Sequence, residues 1–134
     1  MLYFAYGANM DRAAMALRCP SSKSLGVATL PGWRLGVMRE GWLTVESALG
    51  VSTHGVLWDL AEADVPALDA FEDVDGGIYL KQTLPVIAAH ETAALVYVGA
   101  NVGPGVARVD YLAAVRAAAR GWGLPDDALI SLAR

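Results

Sequence analysis

The run Leu2-Tyr3-Phe4-Ala5-Tyr6 is apolar and strand-like. It stops at Gly7, and Ala8-Asn9-Met10 leads at once into a helix-like segment, Asp11 to Arg18. A strand that turns straight into a helix leaves several backbone N–H groups without internal partners. Gathered at a helix N-terminus, such groups bind carboxylates and phosphates. The chain therefore opens on a candidate anion cradle. Its second half supplies an acid to set beside it, in Leu68-Asp69-Ala70-Phe71-Glu72.

A length of 134 residues implies one domain, large enough to bury a sizeable core. With 55% hydrophobic and 18% charged residues the chain is too apolar for disorder. No apolar run approaches the length that spans a bilayer, so no membrane partner is expected and the apolar excess belongs to a core or a subunit interface. A homodimer is compatible with it. The net charge is −4 and the basic residues are scattered, which argues against nucleic acid as a partner. Met1 runs into a strand pattern with neither a basic n-region nor a small-residue cleavage site, so no secretory signal is expected. The single cysteine, Cys19, fits a reducing compartment, and a cytoplasmic location is the expectation.

Asp11 to Arg18 reads as a short helix with its acid at the N-terminus and its base at the C-terminus, ended by Cys19-Pro20-Ser21-Ser22. Leu25–Leu30, Arg34–Met38, Leu43–Glu46 and His54–Leu60 read as separate strands between Pro, Gly and charged turns. Asp64 is placed to cap a short helix, with Pro66 tolerated in its first turn. Ile78–Ala88 and Thr92–Val98, parted by His90-Glu91, read as a β-hairpin. Gly99 to Ala107 is a glycine-rich loop, Asp110–Arg120 a helix, and Asp126–Arg134 a last short helix. Many strands, few helices and no regular βαβ alternation predict an α+β fold: a single domain, residues 1–134, around a curved mixed sheet. Trp33, Trp42, Trp58 and Trp122 read as core or interface anchors.

Few residues offer chemistry. His54 and His90 lie at no ligand spacing from Cys19 or each other. Asp73-Val74-Asp75-Gly76 resembles a fragment of a calcium loop but lacks the glycine at loop position six and the closing glutamate. No metal is expected. Cys19 has no histidine near it in sequence, and no Gly-x-Ser-x-Gly elbow occurs. Gly99–Gly105 lacks the Lys-Ser/Thr of a phosphate loop, so no nucleotide cofactor is expected. Glu72 remains. It follows a helix, where the negative end of the dipole disfavours an anion, and Asp73 and Asp75 add like charge. Such a setting raises a carboxyl pKa toward what a general acid/base requires; a solvated helix-end charge is the alternative. Tyr3, Tyr6, Tyr79, Tyr97 and Tyr111 read first as packing residues whose hydroxyls find partners. Tyr111, after the glycine-rich loop, is placed to overhang a pocket.

Taken together, Tyr3-Phe4-Ala5-Tyr6-Gly7-Ala8-Asn9-Met10 and Leu68-Asp69-Ala70-Phe71-Glu72-Asp73-Val74-Asp75-Gly76-Gly77-Ile78-Tyr79 resemble the two signature segments of the γ-glutamylcyclotransferase family, Tyr-Gly-Ser-Asn-Leu and Leu-Asp-x-x-Glu-Gly…Tyr. The likeness continues more weakly through Gly55-Val56-Leu57-Trp58, Val96-Tyr97-Val98, Tyr111 and Gly121-Trp122-Gly123-Leu124-Pro125. The resemblance implies a compact barrel-like mixed sheet with a pocket at one end. It implies Glu72 as general base and acid, and Tyr3, Phe4, Ala5, Tyr6, Gly7, Ala8 and Tyr111 as substrate-binding residues. The implied reaction releases 5-oxoproline from a γ-glutamyl amine or dipeptide. The substrate's own α-amino group is the nucleophile, so no metal or cofactor is called for.

Two departures stand out. Ala8 replaces the family's serine, and Asp73 replaces the glycine after the glutamate. Non-catalytic ligand binding, and a carboxylate-based hydrolase using Glu72 with Asp69 or Asp75, are the alternatives.

Overall fold

The computed structural model describes residues 1–132. In chain order the elements are β1 (Leu2–Ala5), a 3-10 turn (Ala8–Met10), α1 (Arg12–Arg18), β2 (Lys23–Val37) and β3 (Leu43–Asp59). A second 3-10 turn (Glu62–Asp64), α2 (Val65–Phe71), β4 (Tyr79–Ile87), β5 (Glu91–Gly99), α3 (Val109–Gly121) and α4 (Asp127–Ser131) follow. The last helix, expected over Asp126–Arg134, ends at Ser131, and Ala133 and Arg134 lie outside the described residues.

The four short strands expected between Leu25 and Leu60 are two long ones. The breaks that divide them in sequence face each other in the ladder. Pro31 pairs with Ser52 and Trp33 with Ser47, so Gly32 and residues 48–51 are extra residues at one level. Proline gives the ladder no N–H, and Gly32 (φ 83°) and Gly50 (φ 79°) adopt left-handed conformations. The result is a bulge that bends the ribbon without ending it. The expected hairpin of β4 and β5 forms, with Tyr79 opposite Gly99 and Ile87 opposite Glu91.

The five strands close into a barrel in the order β1-β3-β2-β4-β5. Every neighbouring pair is antiparallel except β1 and β5, which meet in parallel at Tyr3 and Leu95. Phe4, Leu30, Val45, Val56, Val86 and Val96 fill the interior, while Met10, Met15 and Leu68 bring the 3-10 turn, α1 and α2 onto the same core. Burial of such side chains contributes roughly 1.5–3 kcal/mol each. Trp58 is buried in this core, and Trp33, Trp42 and Trp122 pack half-buried against it. No described helix is long and apolar enough to cross a membrane.

The two expected helix caps behave differently. Asp11 caps α1, its Oδ1 accepting the Ala13 N–H at 3.4 Å. Asp64 does not cap α2 with its side chain. Its Oδ2 accepts from Ser21 N–H (2.9 Å) and Ser22 Oγ–H (2.8 Å), tying the connection after α1 to the start of α2. Cys19 is buried at the end of α1, where its N–H reaches the Met15 carbonyl.

Candidate active site

β1 delivers the chain to Gly7 at one end of the barrel, and the turn Ala8–Met10 starts there. The turn's own bonds run from Met10 N–H to Gly7 O and from Asp11 N–H to Ala8 O. The Gly7 and Ala8 amides have no backbone partner among the described residues, and both residues line a cavity of about 510 Å³. Gly7 has a negative φ (−125°), so no left-handed backbone calls for glycine there; space does, since a Cβ would stand 3.2 Å from the Tyr111 hydroxyl. The turn is held from behind by α3, where Trp122 Nε1–H donates to Met10 O at 2.7 Å and Arg12 lies 3.5 Å over the Trp122 ring. Trp122 thus anchors the candidate cradle.

Glu72 enters the same cavity from the end of α2. The end is a left-handed reversal. Asp73 N–H bonds Ala70 O, Val74 N–H bonds Asp69 O, and Asp73 sits at φ 50°. This conformation favours glycine, which explains the family's residue at this position; Asp is among the side chains that tolerate it. Asp73 supports the turn further by accepting the Gly76 N–H at 3.1 Å.

Burial pushes the Glu72 carboxyl up to about 7, and the Arg18 guanidinium pulls weakly the other way. Burial acts as expected, whereas the expected contribution of the neighbouring acids is corrected. Desolvation raises this group, and Asp73 and Asp75 do not, because one is turned to the Gly76 amide and the other is exposed. The solvated-charge alternative for Glu72 is corrected too: the residue is half-buried in the cavity wall.

Five tyrosines surround this carboxyl, and their hydrogen bonds divide them. Tyr6 O–H donates to Tyr97 O (2.6 Å), Tyr79 O–H to Leu43 O, and Tyr97 O–H to Asp69 Oδ1 (2.6 Å). Those three hydrogens are committed to the protein. Tyr3 and Tyr111 are acceptors instead. The Tyr3 oxygen takes the Asn9 Nδ2–H at 2.9 Å, and the Tyr111 oxygen takes the Leu43 N–H at 3.2 Å. An amide N–H can only donate, so both phenols keep their own hydrogens available to the cavity they line. Burial keeps both in the protonated form, Tyr111 at about 12 and Tyr3 well above the ordinary phenol value.

Of the residues expected to hold substrate, Tyr3, Phe4, Tyr6, Gly7, Ala8 and Tyr111 line the cavity with Glu72. Ala5 does not. It is buried in β1 opposite Val56 of β3. Tyr6 contributes its ring, since its hydroxyl hydrogen is engaged. Tyr111 is half-buried in a core contact with Trp42 (ring centroids 5.0 Å apart), more enclosed than a residue overhanging a mouth.

The glycine-rich segment is not itself part of the wall. It packs on the β2–β3 turn, with Arg39 N–H on Asn101 Oδ1 and Arg108 N–H on Gly41 O, and so sets where α3 and Tyr111 begin. Neither acid proposed to work with Glu72 in hydrolysis is available. Asp69 is bonded to Tyr97 and Lys81, and Asp75 is exposed.

Sequence reasoning missed the side chains of Asn9 and Arg18. Asn9 is buried, donates to Tyr3 and to Glu72 Oε1 (3.3 Å), and accepts from Arg18 Nη1. The available signal was an amide in an otherwise apolar turn, a polar group that burial obliges to find partners. Trp42, Phe71 and Ile78 complete an apolar side of the cavity whose pieces come from separated parts of the chain.

Residues 3–116 match the family model described as "Gamma-glutamyl cyclotransferase, AIG2-like". The chain is 34% identical to a gamma-glutamylcyclotransferase of Mus musculus over an 89-residue alignment that covers 59% of this chain and 47% of the relative. It is 32% identical to the Homo sapiens protein of the same name over the same share. It thus spans about half the length of the curated relatives it matches. A solved structure titled gamma-glutamyl cyclotransferase superposes with a TM-score of 0.85 at 26% identity, covering 98% of this chain and 85% of that one. YkqA of Bacillus subtilis shares the fold at TM-score 0.80 and 22% identity, over 98% of this chain and 52% of that one. A barrel with an end cavity, Glu72 inside it and a family match running from β1 into α3 lead to one conclusion: the chain belongs to the gamma-glutamyl cyclotransferase, AIG2-like family.

Proposed function

We propose that the protein releases 5-oxoproline from a γ-glutamyl amine or γ-glutamyl dipeptide, with Glu72 carrying the proton. The observation that supports this most is a single carboxyl poised at about 7 in a cavity whose free donors are neutral N–H and O–H groups. At neutral pH such a group is present in comparable amounts as base and acid, the condition for giving and taking one proton within a cycle.

The substrate's α-ammonium gives a proton to the Glu72 carboxylate. The freed amine attacks the γ-carbonyl carbon of the same glutamyl unit. As the new C–N bond closes the lactam, protonated Glu72 gives its proton to the leaving nitrogen and the bond to it breaks; the carboxylate then takes the second proton of the attacking nitrogen, leaving the single ring N–H of 5-oxoproline, and passes it to the departing amine, which leaves as an ammonium with Glu72 again a carboxylate. Holding the glutamyl unit in the ring-closing conformer supplies several kcal/mol of such a barrier. The Gly7 and Ala8 amides suit the α-carboxylate, and the free hydrogens of Tyr3 and Tyr111 suit the carbonyl oxygen as it gains charge. No cation of the protein is required at either place.

The test is 5-oxoproline release across a panel of γ-glutamyl amines and γ-glutamyl dipeptides, followed chromatographically. Release from at least one member, retained after exhaustive chelation, is expected. Binding of γ-glutamyl ligands without release from any would favour a non-catalytic binding domain.

A further inference from the structure

We infer that Arg18 is a positioning residue: by engaging the Asn9 carboxamide oxygen it fixes which end of that amide meets the Glu72 carboxyl and the Tyr3 hydroxyl. The inference rests on the reading of Glu72 as the proton carrier, and its test does not depend on turnover.

A guanidinium has five N–H donors and no acceptor, so the Asn9 atom facing Arg18 must be Oδ1. The Nδ2 group is thereby left toward the cavity, where it reaches both Tyr3 (2.9 Å) and Glu72 Oε1 (3.3 Å). With the amide turned over, an oxygen would face the Glu72 carboxylate, and the Tyr3 hydrogen would be drawn to that oxygen and away from the cavity. Asn9 is 2% exposed, so water does not compete for either end.

Arg18 is itself held flat. Its guanidinium lies 3.4 Å over the ring of Phe71, the residue before Glu72. The one side chain thus braces the 3-10 turn and the end of α2 against each other. A lysine would keep the charge without the planar stack.

The charged and titratable groups in the surroundings of Glu72 are Arg18 from α1, Tyr3 and Tyr6 from β1 and its extension, Tyr79 from β4, Tyr97 from β5 and Tyr111 from α3. The phenols are all pushed upward by burial and stay neutral. Asp73, beside Glu72 in sequence, has its carboxylate turned to the Gly76 amide. Among the described residues of this group Arg18 is the cation, and Asn9 is the side chain that links it to the carboxyl.

The experiment is a pH titration of the Glu72 carboxyl carbon by NMR in the unmodified protein, in Arg18→Gln, in Asn9→Ala and in the double variant. Each single change removes support for the carboxylate, so each midpoint is expected to rise, by about one pH unit. The double variant is expected to rise no further than the larger single one, because both changes break one chain of contacts. An unchanged midpoint in either folded single variant would overturn the inference. So would strictly additive shifts, which would mean that Arg18 acts by charge alone.

A second measurement needs no variant. The Asn9 Nδ2 proton shifts of the unmodified protein should titrate with the Glu72 midpoint, and their insensitivity to pH through that range would also overturn it. Because neither readout uses catalysis, failure here is distinguishable from failure of the cyclisation reading, which 5-oxoproline release decides.

Discussion

The Tyr111 hydroxyl satisfies the Leu43 amide and faces the cavity with the hydrogen it has left. Tyr111→Phe is therefore expected to act twice. An unsatisfied buried N–H costs about 1–3 kcal/mol, visible as a lower denaturation midpoint, and kcat/KM falls with the lost donor. A fall in stability with unchanged kinetics would return Tyr111 to a packing role. At Ala8 the missing hydroxyl matters less, since the turn offers backbone N–H groups. Ala8→Ser is expected to leave the fold intact and change ligand affinity by no more than about tenfold, the worth of one neutral hydrogen bond of about 0.5–1.5 kcal/mol net. Calorimetry showing several orders of magnitude would contradict this. At this scale sequence was a good guide to which residues gather and a poor one to what their polar atoms do. The family likeness drew Tyr3, Gly7, Ala8, Glu72 and Tyr111 together. Nothing in spacing distinguishes a phenol that donates to a carbonyl, as Tyr6 does, from one that accepts from an amide, as Tyr3 does.

Among the elements, the end of α2 shows how a substitution that looks electrostatic is conformational. Asp73 occupies a left-handed position and closes its own turn on Gly76. Asp73→Gly would relieve roughly 1 kcal/mol of backbone strain and lose an exposed hydrogen bond of similar worth. Its stability is expected to stay within about 1 kcal/mol of the parent, with the Glu72 midpoint in place. A downward shift of that midpoint by a full pH unit would reinstate the acidic neighbour as its cause. The helix and hairpin patterns were legible because their apolar periodicity is local. The length of β2 and β3 was not. Pro31-Gly32 and residues 48–51 each signal a turn, and only their meeting across the ladder converts two turns into one bulge.

Across the whole molecule, the carboxyl that equips the cavity also weakens the fold. Glu72 titrates near 4.5 when unfolded and at about 7 in the native protein. Below the lower value it is protonated in both states and contributes nothing. Between the two the unfolded chain ionises first, so stability falls as pH rises. Above about 7 the full penalty stands, up to about 3 kcal/mol. Glu72→Gln should therefore be more stable than the parent at pH ~8 and similar to it at pH ~4, by thermal or urea denaturation. A difference independent of pH would contradict the buried setting. The barrel class was legible from many strands without βαβ alternation, whereas the closure through the parallel meeting of β1 and β5 is a long-range pairing that no local pattern encodes. The central claim is that Glu72 carries the proton in a cyclisation. Its most direct test is 5-oxoproline release by the parent and by Glu72→Gln from pH ~5 to ~9. The account predicts a parent profile that ascends with a midpoint near 7, and a folded, ligand-binding variant at least about 10²-fold slower. Near-normal turnover by a verified Glu72→Gln protein would contradict it.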